Sequence, residues 1–253
     1  MKTKIVITDL TRMQDRRVCV AGYDEHGACI RPVLPPPGIQ ESSLYVDGCP
    51  IVFPFAIVEY DLVGHTPQPP HTEDHLFDPS AVRGCGKLHS SKCRDFLFEQ
   101  RFASVEAIFE QPIHADAGYY LEDGRGPRSL GTILLESPLT VILDEDAGHN
   151  LKPRIAFVDA TGAVYRLAVT DLVWRYYAEY MHTAQRLASS TVAAELQSGL
   201  QDKEIFLRIG LARGWSQHPD RCYLQVTGIH TFPDYLSGRT FADFAPDPVE
   251  DDW

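Results

Sequence analysis

Apolar and polar residues alternate in short runs along most of the chain, a pattern typical of half-buried strands. In the first half these runs are rich in β-branched residues and are separated by turn sequences such as "DEHG", "PPPG" and "VDGCP". The runs are KIVITDL, RRVCVAGYD, GACIRPVL and PIVFPFAIVEYDLVG. They predict antiparallel strands, with "DEHG" closing a hairpin between the second and the third.

A second block of such runs begins at about Ser129. It comprises SLGTILLE, LTVILDE, RIAFVD, VYRLAV, EIFLRIGLARGW and RCYLQVTGIHTF. RIAFVD and VYRLAV surround "ATGA", and apolar residues alternate in both arms. They predict a hairpin in which Gly162 supplies the turn.

Two other stretches show helical spacing. "SKCRDFLFEQRFASVEAIFEQ" predicts a helix broken near residues 101–104, and the segment after the cap candidate Thr170 predicts one or two more. This later segment contains the aromatic sequence "VWRYYAEYMH", whose large side chains fall on two helical faces. Such a helix is either clamped between two cores or part of a homodimer contact.

Two successive groups of four to five short strands, each with a helical insert, commonly close as small barrels. The predicted fold class is therefore α+β, mainly β, with two small antiparallel barrels that resemble the oligonucleotide/oligosaccharide-binding (OB) architecture. The predicted domains are an N-terminal barrel over 1–125, a C-terminal barrel over 126–240 and an acidic tail over 241–253. A parallel α/β sheet is not expected, because strands and helices do not alternate regularly.

Composition narrows the possible functions. With 253 residues and 44% hydrophobic content, the chain can bury a substantial core. Its formal net charge of -12 argues against an extended basic groove that grips duplex nucleic acid. The start of the chain lacks the pattern of a signal peptide and no apolar run is long enough to span a membrane, so we expect a cytoplasmic protein without a membrane partner.

Several phrases together resemble a known family. They are VITDLTRM, ACIRPVLPPPGI, PPHTEDHLFD, SLGTI, KPRIAFVDATGAVYRLAVTDL, and LRIGLARGW followed by CYLQVTGIHTF. They are similar to an uncharacterised bacterial family with a dual OB-containing domain, over Lys4 to about Tyr235. The resemblance implies a pair of OB-like barrels, and it brings no catalytic residues with it.

Metal-capable side chains crowd the segment "PPHTEDHLF". His71 and His75 are four residues apart, and His89 is an additional candidate ligand, so a zinc site is one hypothesis. Zinc could also be held by the set Cys85, His89 and Cys93 with a fourth ligand from elsewhere. The alternative for "HTED" is a helix start, with Thr72 as the cap and two acids in the first turn. Otherwise no cofactor is expected.

Arginine and aromatic residues lie in or beside the predicted strands. These candidate ligand-binding residues are Arg31, Arg154, Arg175, Arg208, Arg213, Trp215 and Tyr223. Barrels that bind single strands use aromatic faces for stacking and guanidinium groups for phosphates. The alternative is that the aromatic residues pack and the arginines pair with carboxylates such as Asp159, Asp171 or Glu204.

These observations favour a non-catalytic module that binds single-stranded nucleic acid or a nucleotide-bearing ligand. No nucleophile motif such as G-x-S-x-G is present, so an enzyme is not the favoured hypothesis. One alternative is a metal-assisted hydrolase or nuclease that uses the 71–75 region. Another is an adaptor that binds a protein encoded by a neighbouring gene through the aromatic helix or the acidic tail.

Overall fold

The computed structural model describes residues 1–246. Its strands are β1 Lys2–Arg12, β2 Val18–Tyr23, β3 Cys29–Val33, β4 Tyr45–Val46, β5 Cys49–Pro50, β6 Ala56–His65, β7 Asp74–Phe77, β8 Arg83–Lys87, β9 Arg101–Phe102, β10 His114–Ala115, β11 Tyr119–Glu122, β12 Leu130–Leu135, β13 Thr140–Glu145, β14 Leu151–Val158, β15 Val164–Val169, β16 Glu204–Leu211 and β17 Arg221–Phe232. Its α-helices are α1 Ser90–Glu99, α2 Val105–Phe109, α3 Leu172–Thr183 and α4 Ser189–Leu200.

The first sheet closes into a five-stranded barrel. Its strands follow the order β1-β2-β3-β7-β6, and β6 pairs back onto β1, with Lys2 opposite Asp61 and Val6 opposite Ile57. All pairs are antiparallel except β3 with β7. β2 and β3 form the hairpin that "DEHG" predicts.

The second sheet repeats this topology. Its order is β13-β14-β15-β17-β16-β12-β9. The five strands β13 to β17 thus follow the same spatial order as β1-β2-β3-β7-β6 in the first barrel, with the fifth strand between the third and the fourth. The third and fifth strands, β15 and β17, are again the parallel pair. β12 lies beside β16, the position that β1 occupies in the first barrel. The predicted mainly β fold of two OB-like units is confirmed, as is the hairpin of β14 and β15 around Gly162.

Helix α3 lies between the two cores. Leu172, Val173 and Tyr176 pack into the first core, whereas Trp174 and Met181 pack into the second. The prediction of a clamped helix is confirmed for this reason. The predicted cap is wrong by one residue: Asp171, not Thr170, accepts hydrogen bonds from the first-turn N–H groups.

Strand pairing joins residues 101–122 to the second sheet, through β9 on β12 and β11 on β17. The domain division at residue 125 stays a prediction. Of the predicted acidic tail, residues 241–243 form a 3₁₀ turn with Phe241 in the first core, and residues 247–253 lie outside the described part. Within residues 1–246 the longest helices have 12 residues, and no helix has the length and apolar character to cross a membrane.

Candidate nucleic-acid interface

The outer face of β2 and β3, where OB barrels bind their ligands, is largely covered by the second barrel. Arg208 on β16 is fully buried there. Its Nε donates to Asp9 Oδ2 at 2.8 Å, and its Nη2 lies 2.7 Å from the same oxygen. Its Nη1 donates to the Tyr23 hydroxyl at 2.5 Å and to Thr132 Oγ1 at 2.8 Å. Arg208 therefore fastens one barrel to the other. The structure places it at this contact and not on a solvent face.

A second ion cluster fastens the same contact. Arg31 on β3 donates from Nε to Asp74 Oδ1 at 2.5 Å and from Nη1 to Ser129 Oγ at 3.2 Å. Arg213, after β16, donates to the other carboxylate oxygen of Asp74. The Asp74 side chain is buried, while that of Arg213 is 50% exposed. A carboxylate shared by two guanidinium groups holds the barrels together by charge-assisted hydrogen bonds.

The segment "PPHTEDHLF" contributes to this contact as well. The prediction of a helix capped by Thr72, with Glu73 and Asp74 in its first turn, is wrong, because β7 begins at Asp74 and pairs with β3. The side chain of Glu73 is buried and accepts from the backbone N–H of Ser129 at 2.6 Å. His71 is buried against the carbonyl oxygen of Leu211 at 3.1 Å. Long-range hydrogen bonds outweigh the local helix signal here.

The histidines proposed as metal ligands have separate partners. His75 Nδ1 lies 2.8 Å from the Glu73 carbonyl oxygen, and its ring stacks on His65 at a centroid distance of 4.4 Å. His89 caps α1, where its Nδ1 accepts from the N–H of Ser91. In the described part of the chain, no group of three or more His, Cys, Asp or Glu side chains is arranged to hold a metal ion.

The corresponding outer face of the second barrel is open to solvent. β14 and β15 alternate buried and accessible residues, and their accessible positions include Lys152, Arg154 and Arg166. We call these three residues the basic face. Arg154 and Arg166 share the carboxylate of Asp144, at 2.9 and 3.5 Å. Because two cations share one anion, this pair keeps one uncompensated positive charge.

Arg175 lies on α3, away from the basic face. Its Nη2 is 3.7 Å from Glu179, which also binds Arg12 at 2.6 Å. Its Nε is buried and has no hydrogen-bond partner among residues 1–246. The structure therefore places Arg175 on the inter-barrel helix α3, beside Glu179, and not with the accessible cations of the basic face.

Beside the basic face, five rings form a continuous row on β10, β11, β17 and the loop between β16 and β17. Successive centroid distances are 5.2 Å from His114 to Tyr120, 5.6 Å to Tyr223, 6.1 Å to His218 and 5.8 Å to Trp215. We call this set the aromatic row. Every ring is at least partly accessible, and Trp215 is 52% exposed. A guanidinium group, that of Arg221, lies 4.5 Å from the Tyr120 ring centre.

Local structure explains why Trp215 projects into solvent. Trp215 and His218 exchange two backbone hydrogen bonds, which close a tight loop. A Cβ at Gly214 would lie 2.2 Å from the Pro219 carbonyl oxygen, so the loop requires glycine there. The group that approaches Gly214 closely is therefore the loop's own backbone at Pro219.

The sequence indicates Trp215 and Tyr223 as ligand-binding residues but misses His114, Tyr120 and His218. β10 and β11 are short strands that become part of the surface only by pairing with β17, about a hundred residues later. The local signal for β11 is weak, because "YYLE" has two aromatic residues typical of strands but no regular alternation of apolar and polar positions.

A search of curated proteins gives no match to this chain. A family model described as a dual OB-containing domain matches residues 3–229. That range includes both repeats of the five-strand order, apart from the first residue of β1 and the last three residues of β17. The chain therefore belongs to the dual OB-containing domain family.

Proposed function

We propose that the second barrel binds single-stranded nucleic acid by stacking bases on the aromatic row. The observation that supports this proposal is the row itself, five neighbouring rings at the end of β17 that pairs with β11. Every base has a π face, so rings of this kind bind single strands with little sequence preference. Duplex DNA keeps its bases stacked internally and cannot use the row.

Phosphate contacts play a smaller part in this proposal. Lys152 lies 2.9 Å from Asp146, and Arg221 lies 2.7 Å from Asp116, so these cations are already paired. Among these four cations of the second barrel, the Arg154 and Arg166 pair, which shares Asp144, carries an excess positive charge. Two phosphate contacts would give a salt slope of about -1.4, or a roughly 7-fold loss of affinity between about 50 and 200 mM salt.

The test is fluorescence anisotropy with labelled 12-nucleotide DNA and RNA single strands. Trp215→Ala and Tyr120→Ala should each weaken binding about 10-fold, because one base loses its stacking partner. Tyr180→Ala is the matched control, since Tyr180 is a partly exposed aromatic residue on α3 and belongs to a different surface.

Thermal unfolding of each variant checks that the fold is retained. Equal losses of affinity in Trp215→Ala and Tyr180→Ala, or absence of saturable binding at the lower salt concentration, would contradict the proposal. A duplex of the same sequence should bind much more weakly than either single strand.

A further inference from the structure

The first barrel has an unfilled end. A cavity of about 310 Å³ opens where the segment after β3 and the β4–β5 hairpin cover the barrel. Apolar side chains in its walls include Val20, Leu44, Val52 and Phe77, and polar groups share the exposed wall with them. Its volume lies at the lower end of the range of ligand pockets, which begins at about 300 Å³.

The cavity carries a hydroxyl group, that of Tyr60, on the wall formed by β6. Tyr60 on β6 lines the cavity and is 2% exposed, and its hydroxyl makes no hydrogen bond with any other residue of the described chain. Burial alone raises the pKa of this hydroxyl above its ordinary value. The hydroxyl oxygen is not fully enclosed by protein atoms and Tyr60 lines the cavity, so Tyr60 offers a donor to whatever enters it.

An unpaired strand edge adjoins the cavity. Strand β8 pairs with β6 and stands at the end of its sheet, and all five of its residues are exposed. Ile51 lines the cavity and also packs under Gly84, where a Cβ would lie 3.2 Å from the Ile51 Cβ. The backbone groups on the outer edge of β8 are therefore free to pair with an added strand directly beside the cavity.

The charge of this edge is positive. Arg83 and Lys87 stand at the two ends of β8, and within residues 1–246 neither forms a salt bridge; Glu59, opposite Arg83 on β6, is paired with Lys2. They contrast with the rest of a chain whose net charge is -12. An extended segment that adds to β8 is therefore favoured if it carries carboxylates.

We propose that β8 and the cavity together bind an acidic, extended peptide segment of a partner protein, with an aromatic side chain of the peptide in the cavity. Backbone pairing with β8 supplies affinity, as in other cases of strand addition, and the cavity selects the side chain. The site does not depend on the aromatic row, which lies on the other barrel.

The probe is a fluorescein-labelled heptapeptide, Asp-Glu-Val-Trp-Val-Glu-Asp, added to the full-length protein. Binding should weaken at least about 10-fold when alanine replaces the peptide's Trp, and by a similar factor in the double variant Arg83→Glu, Lys87→Glu. A second probe is N-methylated at alternate residues, which removes the backbone N–H donors from one edge of the peptide. It should bind more weakly if the peptide pairs with β8 as a strand. Tyr60→Phe keeps the shape of the cavity and should weaken binding about 5-fold, as expected for one hydrogen bond.

Trp215→Ala should leave this peptide binding unchanged, which separates the site from the proposed nucleic-acid interface. The proposal is overturned if the Trp and Ala probes bind equally well, if N-methylation has no effect, or if no binding occurs up to millimolar peptide. It is also overturned if the Arg83→Glu, Lys87→Glu variant binds the probe as the wild type does but self-associates. The two charges would then serve to keep β8 from pairing with a second copy of the protein.

Discussion

The two barrels share one strand order but differ in what covers the face of their second and third strands. In the first barrel Arg208, Thr132 and Ser129 from the second half of the chain bury this face. What remains is a cleft of about 250 Å³ beside Cys29. In the second barrel the same face carries Arg154 and Arg166 in contact with solvent. A repeated topology therefore does not imply a repeated binding site.

The difference has a simple physical origin. The first barrel places Asp9 and Asp74 at its contact surface, and each is buried with an arginine partner from the other half of the chain. The second barrel places Asp144 on the open face, where its ion pairs are exposed. Separating a buried ion pair leaves an uncompensated charge in the protein interior, so such pairs hold the two barrels in contact. Exposed pairs contribute little to stability.

Breaking the inter-barrel contact should have the largest effect. Arg208→Met leaves Asp9 buried without a cation, so the free energy of unfolding should fall by about 3–5 kcal/mol. Urea unfolding measures it. Arg154→Met, which removes an exposed pair, is the control and should cost less than about 1 kcal/mol. Similar losses in the two variants would contradict the distinction between the two faces.

Loss of Arg213 should have an intermediate effect. Arg213→Ala removes one of the two guanidinium groups on Asp74, and Arg31 remains as the other. We expect a loss of about 1–2 kcal/mol, at the lower end for charge-assisted hydrogen bonds because Arg213 is half exposed. Single-strand affinity should change by less than about 2-fold. A 10-fold loss of single-strand affinity without loss of stability would contradict this, and would mean that Arg213 contacts the ligand.

These arginines show what the sequence could and could not predict. The position of Arg31 and Arg208 in strands was predictable, because alternation and turn residues are local signals. Their partners were not, since Arg208 and Asp9 are 199 residues apart. The carboxylates suggested by proximity have other roles: Asp171 caps α3, Asp159 accepts from the N–H of Val105, and Glu204 binds Arg94.

Acid should act on the inter-barrel contact through His71. Burial, with the nearby guanidinium groups of Arg31 and Arg213, lowers the pKa of His71 to about 3. Below about pH 6.5 the unfolded chain takes up a proton that the folded chain does not, so stability falls as the pH drops from about 6.5 toward 3. The contribution is about 1.4 kcal/mol per pH unit.

The comparison that isolates this group is His71→Gln, whose amide can still donate to the Leu211 carbonyl oxygen. The variant should lose less stability than the wild type between about pH 6.5 and 4, as measured by urea unfolding at each pH. Parallel pH profiles would contradict this prediction, because they would mean that His71 takes up its proton as readily in the folded protein as in the unfolded chain.

The open face should give the smallest effect on stability and a clear effect on binding. Arg154→Gln with Arg166→Gln removes exposed pairs to Asp144, so the free energy of unfolding should change by less than about 1 kcal/mol. The salt slope for single-strand binding should fall toward zero, by about 0.7 for each phosphate that the protein no longer binds. Because stacking on the aromatic row remains, affinity at high salt should match the wild type. A slope that does not change would place the phosphates elsewhere and leave the aromatic row as the sole support for binding on this barrel.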